Sequence, residues 1–450
     1  MEPGTGCYAL GPIRAAGTGL LIGAAAVLAG GCGGDAPQDS PAETVRGREV
    51  ESSPGLPDSV RRIENPDGAW RGPARLQLVR QVRGATNPVG STDDVRTPVF
   101  SGIRDVAPGP DGRILVLDGS EARVIVLDRG GDVIHRLGGR GDGPGELTTP
   151  DRVEAGPDGD VRVLERRPAA VHRWQEGEYV GSVELVRSDD SGEAPGADSG
   201  PGGLADWGPS LPGGRAVRLI RLGVSDPSSS ASAVYAADSS GRIGSSALEW
   251  STEGTRSRLP EVFGARRSWT AVAGPDGEAR FAVARGDRYE VRLYDLSGTL
   301  RTIVRRDVAS RPVTDDLRER ALDRFTEEAS RAGAPPGMTR ELRDRLPVAE
   351  RLPVIGDLWH SAPDGRLWVG LVGPGPAPGA SSVIREYDVY GADGSYLGNV
   401  PSPPGFELHR VRGAHLYGSW KDSLGVPGVR LYRLVEPRSG RALSSGRGPP

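Results

Sequence analysis

Short apolar runs separated by polar turns dominate the chain from residue 102 onward. Three stretches share one pattern: an apolar run, a Pro-Asp-Gly turn, and a strand in which apolar and polar residues alternate. They are residues 106–118, 153–165 and 272–283. Each predicts a β-hairpin, because Gly adopts positive φ and Asp hydrogen-bonds nearby backbone in such turns. A hairpin that recurs in this way predicts a propeller or a solenoid.

The spacing of the turns predicts four strands in each repeat. Asp111 and Asp158 lie 47 residues apart (158 − 111), which fits one propeller blade. A second turn rich in Asp and Gly follows within three of the repeats, at Asp128, Asp238 and Asp295. Two hairpins give four antiparallel strands, and such a unit buries its faces only by stacking on its neighbours around an axis.

Residues 102–153 resemble an NHL repeat of the six-bladed propeller group. The matching segments are Ile114–Asp118, Arg123–Asp128 and Gly138–Leu147. The pairing of Asp118 with Arg123 across a tight turn is typical of that repeat. Glu165 and Ala170 stand at these positions in the next repeat, so the Asp–Arg pair is not repeated there. The resemblance implies a fold rather than an activity, because the family is functionally diverse.

We therefore expect an all-β fold, a six-bladed β-propeller over residues 73–437. The six predicted blades are 102–147, 151–186, 204–250, 269–308, 355–400 and 406–435. The last blade is one strand short, and residues 75–82 are expected to supply that strand, which closes the ring and removes an open sheet edge. Seven blades is the alternative count.

Two inserts interrupt the predicted blades. Residues 187–203 contain Ser, Asp, Gly and Pro with almost no apolar residue, which predicts a disordered loop. Residues 312–352 predict a small helical insertion between blades four and five, with one helix beginning at Thr314 and a second running from near Thr339 to Pro347. The apolar face of the first helix is Leu317, Ala321, Phe325 and Ala329. We expect a helical hairpin packed on one propeller face; a lid over the central channel is the alternative.

The N-terminal residues predict export. Residues 1–31 have the features of a signal peptide, since their apolar run is too short for a good transmembrane helix and ends in small residues. Leu28 to Cys32 resembles a bacterial lipobox, in which Cys32 carries the lipid, although Leu28 lies one position farther from the cysteine than is usual. Residues 32–72 predict a flexible tether, and residues 438–450 a disordered tail.

We accordingly expect a protein that is exported and lipid-anchored to a bacterial membrane. Gly33, by resemblance to lipoprotein sorting, points to the outer membrane in a cell with two membranes, and a soluble secreted protein is the alternative. The lipid anchor is the only membrane contact that we expect, and the chain is expected to be a monomer. Cleavage before Cys32 would remove Cys7, so the exported protein would have neither a disulfide nor a cysteine-based metal site.

The charge balance limits the partners. The chain has 60 acidic and 56 basic residues, a net charge of −4, and Lys421 is its only lysine. With export, this balance argues against nucleic-acid binding, which some NHL proteins perform. The sequence contains no Gly-x-Ser-x-Gly, His-Glu-x-x-His or Cys–His motif that would indicate a familiar enzyme class.

Candidate functional residues lie where the predicted innermost strands begin, around the axis. The candidate ligand site is Arg104, Asp105, Arg152, Glu154, Asp206, Trp207, Asp357, His360 and His409. Asp151, Trp269 and Trp359 occupy similar positions. A metal site would need three or four of these groups to converge, and the best combination is His360 and His409 with Glu154 or Asp357. The alternative is a polar, water-filled channel that holds no metal.

Two classes of function follow. We expect a binding or scaffold module of the cell envelope that recognises a protein, peptide or glycan through its channel-facing loops and needs no cofactor. The alternative is a metal-dependent envelope lyase or hydrolase, similar to the propeller lactonases and amidating lyases, with calcium or zinc on the axis. Acidic and His side chains that converge on the axis would favour the enzyme, whereas Arg, Trp and Ser there would favour binding.

Overall fold

The structure is a computed structural model built mainly from antiparallel β-strands. It describes residues 60–64, 69–70, 72–84, 96–156, 158–187, 202–211, 214–222, 230–238, 240, 242–252, 261–273, 278–331, 333–373 and 383–437. Within 202–252 the described side chains are those of Val234, Ala237, Asp238, Ser240 and Arg242. The predicted signal peptide, Cys32 and the predicted C-terminal tail therefore lie outside the described residues.

The first half of the chain alternates between short strands and tight turns. The N-terminal segment contributes β1 (Arg61–Glu64) and β2 (Arg75–Arg83). The next eight strands are β3 (Ile103–Pro108), β4 (Ile114–Asp118), β5 (Arg123–Leu127), β6 (Val133–Gly138), β7 (Pro150–Ala155), β8 (Val161–Glu165), β9 (Ala170–Gln175) and β10 (Glu178–Glu184). A single 3-10 turn, Pro110–Gly112, joins β3 to β4, as the Pro-Asp-Gly pattern predicts.

The second half continues in the same way around two helices. The strands before the helices are β11 (Val186–Arg187), β12 (Gly202–Leu211), β13 (Gly214–Leu222), β14 (Ser230–Asp238), β15 (Arg242–Thr252), β16 (Arg267–Ala273), β17 (Ala279–Arg285), β18 (Glu290–Asp295) and β19 (Leu300–Arg305). The helices are α1 (Asp315–Arg331) and α2 (Pro336–Arg345). The remaining strands are β20 (Ile355–Ala362), β21 (Arg366–Gly373), β22 (Val383–Tyr390), β23 (Tyr396–Pro401), β24 (Glu407–Arg412), β25 (His415–Lys421) and β26 (Pro427–Val435).

All of these strands except β1 and β11 form six antiparallel groups of four, which we call sheets one to six in chain order. Sheets one to four have the orders β3-β4-β5-β6, β7-β8-β9-β10, β12-β13-β14-β15 and β16-β17-β18-β19. Sheet five is β20-β21-β22-β23, and sheet six is β24-β25-β26-β2. A short parallel pairing of Ser361 and Ala362 with Val411 and Arg412 links sheets five and six.

The first strand of each sheet is its inner strand. Contacts join β12 to β16, β16 to β20, β20 to β24, β24 to β3, and β3 to β7. The last sheet therefore touches the first, as in a ring of stacked sheets around an axis. Apolar side chains fill the space between neighbours; for example, Leu117 of sheet one packs with Val153 and Trp174 of sheet two.

The N-terminal segment runs along the outer edges of three sheets. As predicted, β2 pairs antiparallel with β26 and completes sheet six. Before it, β1 pairs in parallel with β19, and the amides of Ala69 and Trp70 donate to carbonyls of β23. Residues 61–64 and 69–70 thus belong to the folded body and not to a flexible tether. The strands that these residues pair with lie far along the chain. The Pro- and Gly-rich composition of the segment itself therefore does not predict this pairing.

The recurrent Asp turns have the predicted chemistry. The Asp128 carboxylate accepts hydrogen bonds from the amides of Gly130, Gly131 and Asp132, which confirms the Asx-type turn. Asp238 and Asp295 act in the same way at the corresponding turns. Asp393 caps the equivalent turn of sheet five, and Asp422 caps the turn between β25 and β26, the second and third strands of sheet six.

The two predicted inserts need corrections at their ends. In the first, Arg187 belongs to β11, which pairs in parallel with β15, and Gly202 and Gly203 belong to β12. Residues 188–201 lie outside the described residues. In the second, α2 begins at Pro336 and not near Thr339, because proline fits the first turn of a helix, where its missing N–H is not needed.

The helical hairpin between β19 and β20 has its own small core. Thr314 caps α1, since its hydroxyl accepts the Leu317 amide at 3.3 Å. Leu317, Ala321 and Phe325 are buried as predicted, and they pack with Val262 and Phe263 from the segment before β16. The hairpin is therefore packed on the segments that lead into the inner strands of sheets four and five. Neither α1 nor α2, the helices in the described ranges, is long and apolar enough to cross a membrane.

Candidate functional site

A β-bulge interrupts the inner strand in five sheets, close to where the strand begins. The register shifts fall between Ile103 and Asp105, Pro150 and Arg152, Leu204 and Asp206, Ile355 and Asp357, and Leu408 and Arg410. A bulge adds a residue to one strand and redirects its side chains. The charged positions predicted from the sequence therefore lie at irregular points of the inner strands.

Asp105 holds three inner strands together. Its carboxylate accepts the Val153 amide of β7 at 3.0 Å and Nη2 of Arg410 in β24 at 2.7 Å. It also accepts the amide of the next residue, Val106, at 3.0 Å. The residue is only 3% exposed. One carboxylate thus joins sheet one to sheet two on one side and to sheet six on the other.

The surroundings of Asp105 keep it ionised. Burial alone would raise its pKa, but the Arg410 guanidinium, the His409 side chain and Arg152 lower it by more. The pKa of Asp105 therefore lies below its ordinary value of 3.8. A buried carboxylate with this set of partners is a permanent negative charge at neutral pH.

Asp151 is the second buried carboxylate of this region. Arg104 contacts it from β3, and Nη2 of Arg166, which follows β8, lies 2.9 Å from both of its oxygens. Burial opposes ionisation, but Arg166, Arg104 and Arg152 together lower the pKa of Asp151 to about 2. Arg104 and Arg166 keep 28% and 19% of their side chains exposed. Their outer edges can therefore meet a ligand.

The ion pairs of Asp151 predict a pH-dependent stability. Its pKa falls from 3.8 in the ordinary state to about 2 in the fold. A lowered pKa stabilises the fold above pH ~4, and this stabilisation, of about 2 kcal/mol, is lost as the pH falls towards 2. We expect Asp151→Asn to reduce the free energy of unfolding in urea at pH 7 and to lack this part of the acid-dependent loss. Parallel stability–pH curves for the two proteins would contradict the assignment.

His409 connects Asp105 to a serine. Its Nδ1 lies 3.5 Å from Oδ1 of Asp105, and its Nε2 lies 2.9 Å from Oγ of Ser419 in β25. Ser419 is 8% exposed, and the His409 side chain 10%. The three residues form a row from sheet one into sheet six. We call the polar residues of this region the inner-strand site: Arg104, Asp105, Asp151, Arg152, Arg166, His409, Arg410 and Ser419.

The predicted metal-ligating set of His360 and His409 with Glu154 or Asp357 does not form. His360 is the sixth residue of β20 and not at its start, and its charged neighbour is Asp364. Burial lowers the pKa of His360, and Asp364 opposes this only in part. Asp357 is exposed and accepts the amide of Leu358 at 2.8 Å. Among the described residues, no three His, Cys, Asp or Glu side chains lie close enough together to hold a metal ion.

The other predicted site residues have mixed outcomes. Arg104, Asp105, Arg152 and His409 belong to the inner-strand site. Glu154 lies on the same strand as Arg152, opposite Arg162 of β8. Asp206 and Trp207 lie in β12 beside a bulge, but their side chains are outside the described set.

Sequence reasoning missed Arg166, Arg410 and Ser419. Arg410 directly follows the flagged His409, and Arg166 directly follows Glu165, so neither stands out locally. Their roles come from contacts with carboxylates in other strands. Glu165 itself takes the place of Asp118: its carboxylate accepts the amides of Thr148 and Thr149, as Asp118 accepts those of Ser101 and Gly102.

A second polar cluster lies between sheets four and five. Asp388 is fully buried, and it accepts Nη1 of Arg306 at 2.5 Å and the Tyr396 hydroxyl at 3.0 Å. The Tyr390 hydroxyl donates to that of Tyr289 at 2.7 Å. Burial, with the Asp388 charge, raises the pKa of all three tyrosines above its ordinary value. The Arg306–Asp388 and Tyr289–Tyr390 bonds both join sheet four to sheet five, so this cluster holds the two sheets together.

Comparison with known proteins gives only distant likenesses. No family model matches the chain, and no curated protein matches it. An exported protein from Bacteroides fragilis aligns with a TM-score of 0.42 and 10% identity, over 84% of this chain and 100% of that one. Virginiamycin B lyase from Staphylococcus aureus aligns with a TM-score of 0.37 and 11% identity, over 80% of this chain and 100% of that one. The calcium-binding protein regucalcin from Agrobacterium tumefaciens aligns with a TM-score of 0.37 and 10% identity, over 84% of this chain and 97% of that one.

At these identities and TM-scores, nothing is transferred from those proteins to this chain. The class of this protein follows from its own strands: sheets of four antiparallel strands, stacked through their inner strands, with the last sheet in contact with the first. This arrangement is a β-propeller.

Proposed function

We propose that the chain is a six-bladed β-propeller of the bacterial cell envelope that binds a ligand carrying carboxylate groups at the inner-strand site. Sheets one to six would be the six blades, with the helical hairpin as an insertion between blades four and five. The ligand class is an acidic peptide, protein segment or glycan. The lipid anchor at Cys32 and the NHL-like character of the repeats belong to this proposal.

The observation that supports binding is the excess of guanidinium groups at the inner-strand site. Four arginines surround two buried carboxylates, so these six side chains carry a net charge of +2 (4 − 2). The arginines are Arg104, Arg152, Arg166 and Arg410. A planar guanidinium binds a carboxylate through two parallel hydrogen bonds. Such a site prefers an anion over a cation.

The second supporting feature is rigidity. Asp151 orients Arg104 and Arg166, and Asp105 orients Arg410, so the guanidinium groups are fixed before a ligand arrives. Arg410 also donates through Nη1 to the carbonyl of His409. Fixing these side chains in advance reduces the entropy lost on binding. Their partial exposure, 26% for the Arg410 side chain, leaves surface for contact.

The experiment measures binding of defined probes to the purified full-length chain by calorimetry. We expect hexaglutamate and oligogalacturonate to bind at least tenfold more tightly than hexaglutamine and dextran, with affinity falling as salt rises. The double variant Arg104→Gln and Arg166→Gln should bind the acidic probes at least tenfold more weakly than the native chain does. Arg301→Gln is the matched control, because Arg301 is 51% exposed and pairs with Asp295 on an outer strand.

Two results would reject the proposal. Equal affinity for acidic and neutral probes would remove the anion preference. Stoichiometric zinc or calcium in the purified protein, lost in His360→Ala, would instead favour the metal-dependent lyase or hydrolase. Metal content is therefore measured by mass spectrometry on the same preparations.

A further inference from the structure

The side chains of Asp105, His409 and Ser419 form a row in space, in which the imidazole lies between the carboxylate and the hydroxyl. We propose that Ser419 is a nucleophile for acyl transfer, with His409 as its general base and Asp105 as the positioning residue that orients His409. Asp105, His409 and Ser419 belong to the inner-strand site, but this activity goes beyond acidic-ligand binding and does not require it. The residues come from three separate strands, β3, β24 and β25, so no sequence motif marks them.

The connectivity matches what such a reaction requires. Nδ1 of His409 lies 3.5 Å from Oδ1 of Asp105, and we assign the ring proton to that nitrogen because it faces a carboxylate. This leaves the lone pair of Nε2 for the Ser419 hydroxyl, 2.9 Å away. A base within hydrogen-bond reach of a hydroxyl, itself oriented by a third group, is the arrangement that activates serine.

The Asp105 carboxylate has several hydrogen-bond partners in addition to His409. Two backbone amides and Arg410 fix the Asp105 oxygens, so the group that orients His409 has little freedom to move. The Asp105 side chain is 4% exposed and that of His409 is 10% exposed. Electrostatic interactions are stronger in such a water-poor site, so an imidazolium formed during the reaction is stabilised by Asp105.

The exposure of Ser419 limits the substrate. Ser419 is 8% exposed, so we expect a small acyl group to fit better than a long or branched one. Arg410 is fixed in the same cluster, since it donates to the Asp105 carboxylate and to the His409 carbonyl. The substrate class that fits is an ester of a short acid, of the acetyl type.

The reaction balances without a cofactor. The Ser419 oxygen bonds to the ester carbonyl carbon while its proton passes to Nε2 of His409. The bond to the leaving alcohol then breaks, and the alkoxide takes that proton. Water, deprotonated by Nε2 of His409, then attacks the carbonyl carbon of the acyl-serine. The bond between that carbon and the Ser419 oxygen breaks, the short acid leaves, and His409 returns the proton to Ser419.

The first test is covalent labelling of the full-length chain. We expect a small-alkyl fluorophosphonate to add once, at Ser419, as shown by peptide mass spectrometry, and p-nitrophenyl acetate to be hydrolysed. Ser419→Ala should remove both, and His409→Gln should slow labelling at least 100-fold. Ser297→Ala is the control, since that exposed serine hydroxyl bonds to Asp295 and has no histidine partner. Thermal unfolding of each variant verifies folding.

The role of Asp105 has a separate readout. A downfield imidazole proton, absent in His409→Gln, is expected in the proton NMR spectrum of the native chain and should shift in Asp105→Asn. Absence of labelling and of hydrolysis in the folded native chain would overturn the proposal, as would equal rates in Ser419→Ala. Because the probes are neutral esters and phosphonates, these results are independent of acidic-ligand binding.

Discussion

Asp105→Ala is expected to lower the free energy of unfolding by about 3–5 kcal/mol. The change removes a buried negative charge that accepts two backbone amides and the Arg410 guanidinium. The amides of Val106 and Val153 then lose their acceptor, and Arg410 remains beside a small cavity. Removing a buried charge leaves its partners unpaired. This costs more free energy of unfolding than the intact pair contributes to it.

Urea unfolding at pH 7, followed by tryptophan fluorescence, measures this effect. Asp105→Asn should lower the free energy of unfolding by less than Asp105→Ala does, because the amide oxygen of asparagine can still accept a hydrogen bond from an N–H. Asp287→Ala is the matched control: that carboxylate is 43% exposed and pairs with Arg285, so we expect a loss below about 1 kcal/mol. A loss of that same small size in Asp105→Ala would show that the first and last sheets do not depend on this carboxylate.

The second large effect is expected at Asp388. Asp388→Ala should also lower the free energy of unfolding by about 3–5 kcal/mol, since the charge is fully buried between sheets four and five. The change leaves Arg306 without its anion and the Tyr396 hydroxyl without its acceptor. Tyr396 is only 6% exposed, so its hydroxyl cannot readily exchange the lost bond for water.

An optical measurement separates this mechanism from a general loss of packing. Burial and then the Asp388 charge raise the pKa of Tyr289, so removing Asp388 should bring that pKa down towards its ordinary value of 10. Alkaline titration at 295 nm reports the change, and Asp364→Ala, with a partly exposed side chain near Arg366, is the control. If the titration curve of Asp388→Ala matched that of the native chain, the assigned electrostatic coupling would be wrong.

The agreement between sequence and structure is best where the interactions are local. The Pro-Asp-Gly hairpins, the Asp-capped turns and the Thr314 cap involve residues within a few positions of each other, so their chemistry is readable from the chain. The strand that completes sheet six was also predictable, because one sheet lacked a strand and residues 75–82 have alternating apolar character.

The candidate site was readable only in part. Charged residues at the starts of inner strands pointed to Arg104, Asp105, Arg152 and His409. His360 was placed at a strand start as well, but it lies well inside β20. The bulges that redirect these side chains have no mark in the sequence, since an extra residue in one strand is defined only against its partner.

The sequence by itself determined the hairpin repeat, the four-stranded unit, the turns and the class of fold, because these depend on alternation and on near neighbours. Only the tertiary structure decided which charges meet. Arg410 and Asp105 are 305 positions apart, and their contact exists because the ring brings the last sheet against the first. The same closure brings Asp105 against His409, whose contact with Ser419 lies within the β24–β25 hairpin. Such contacts depend on the whole ring, so no local pattern contains them.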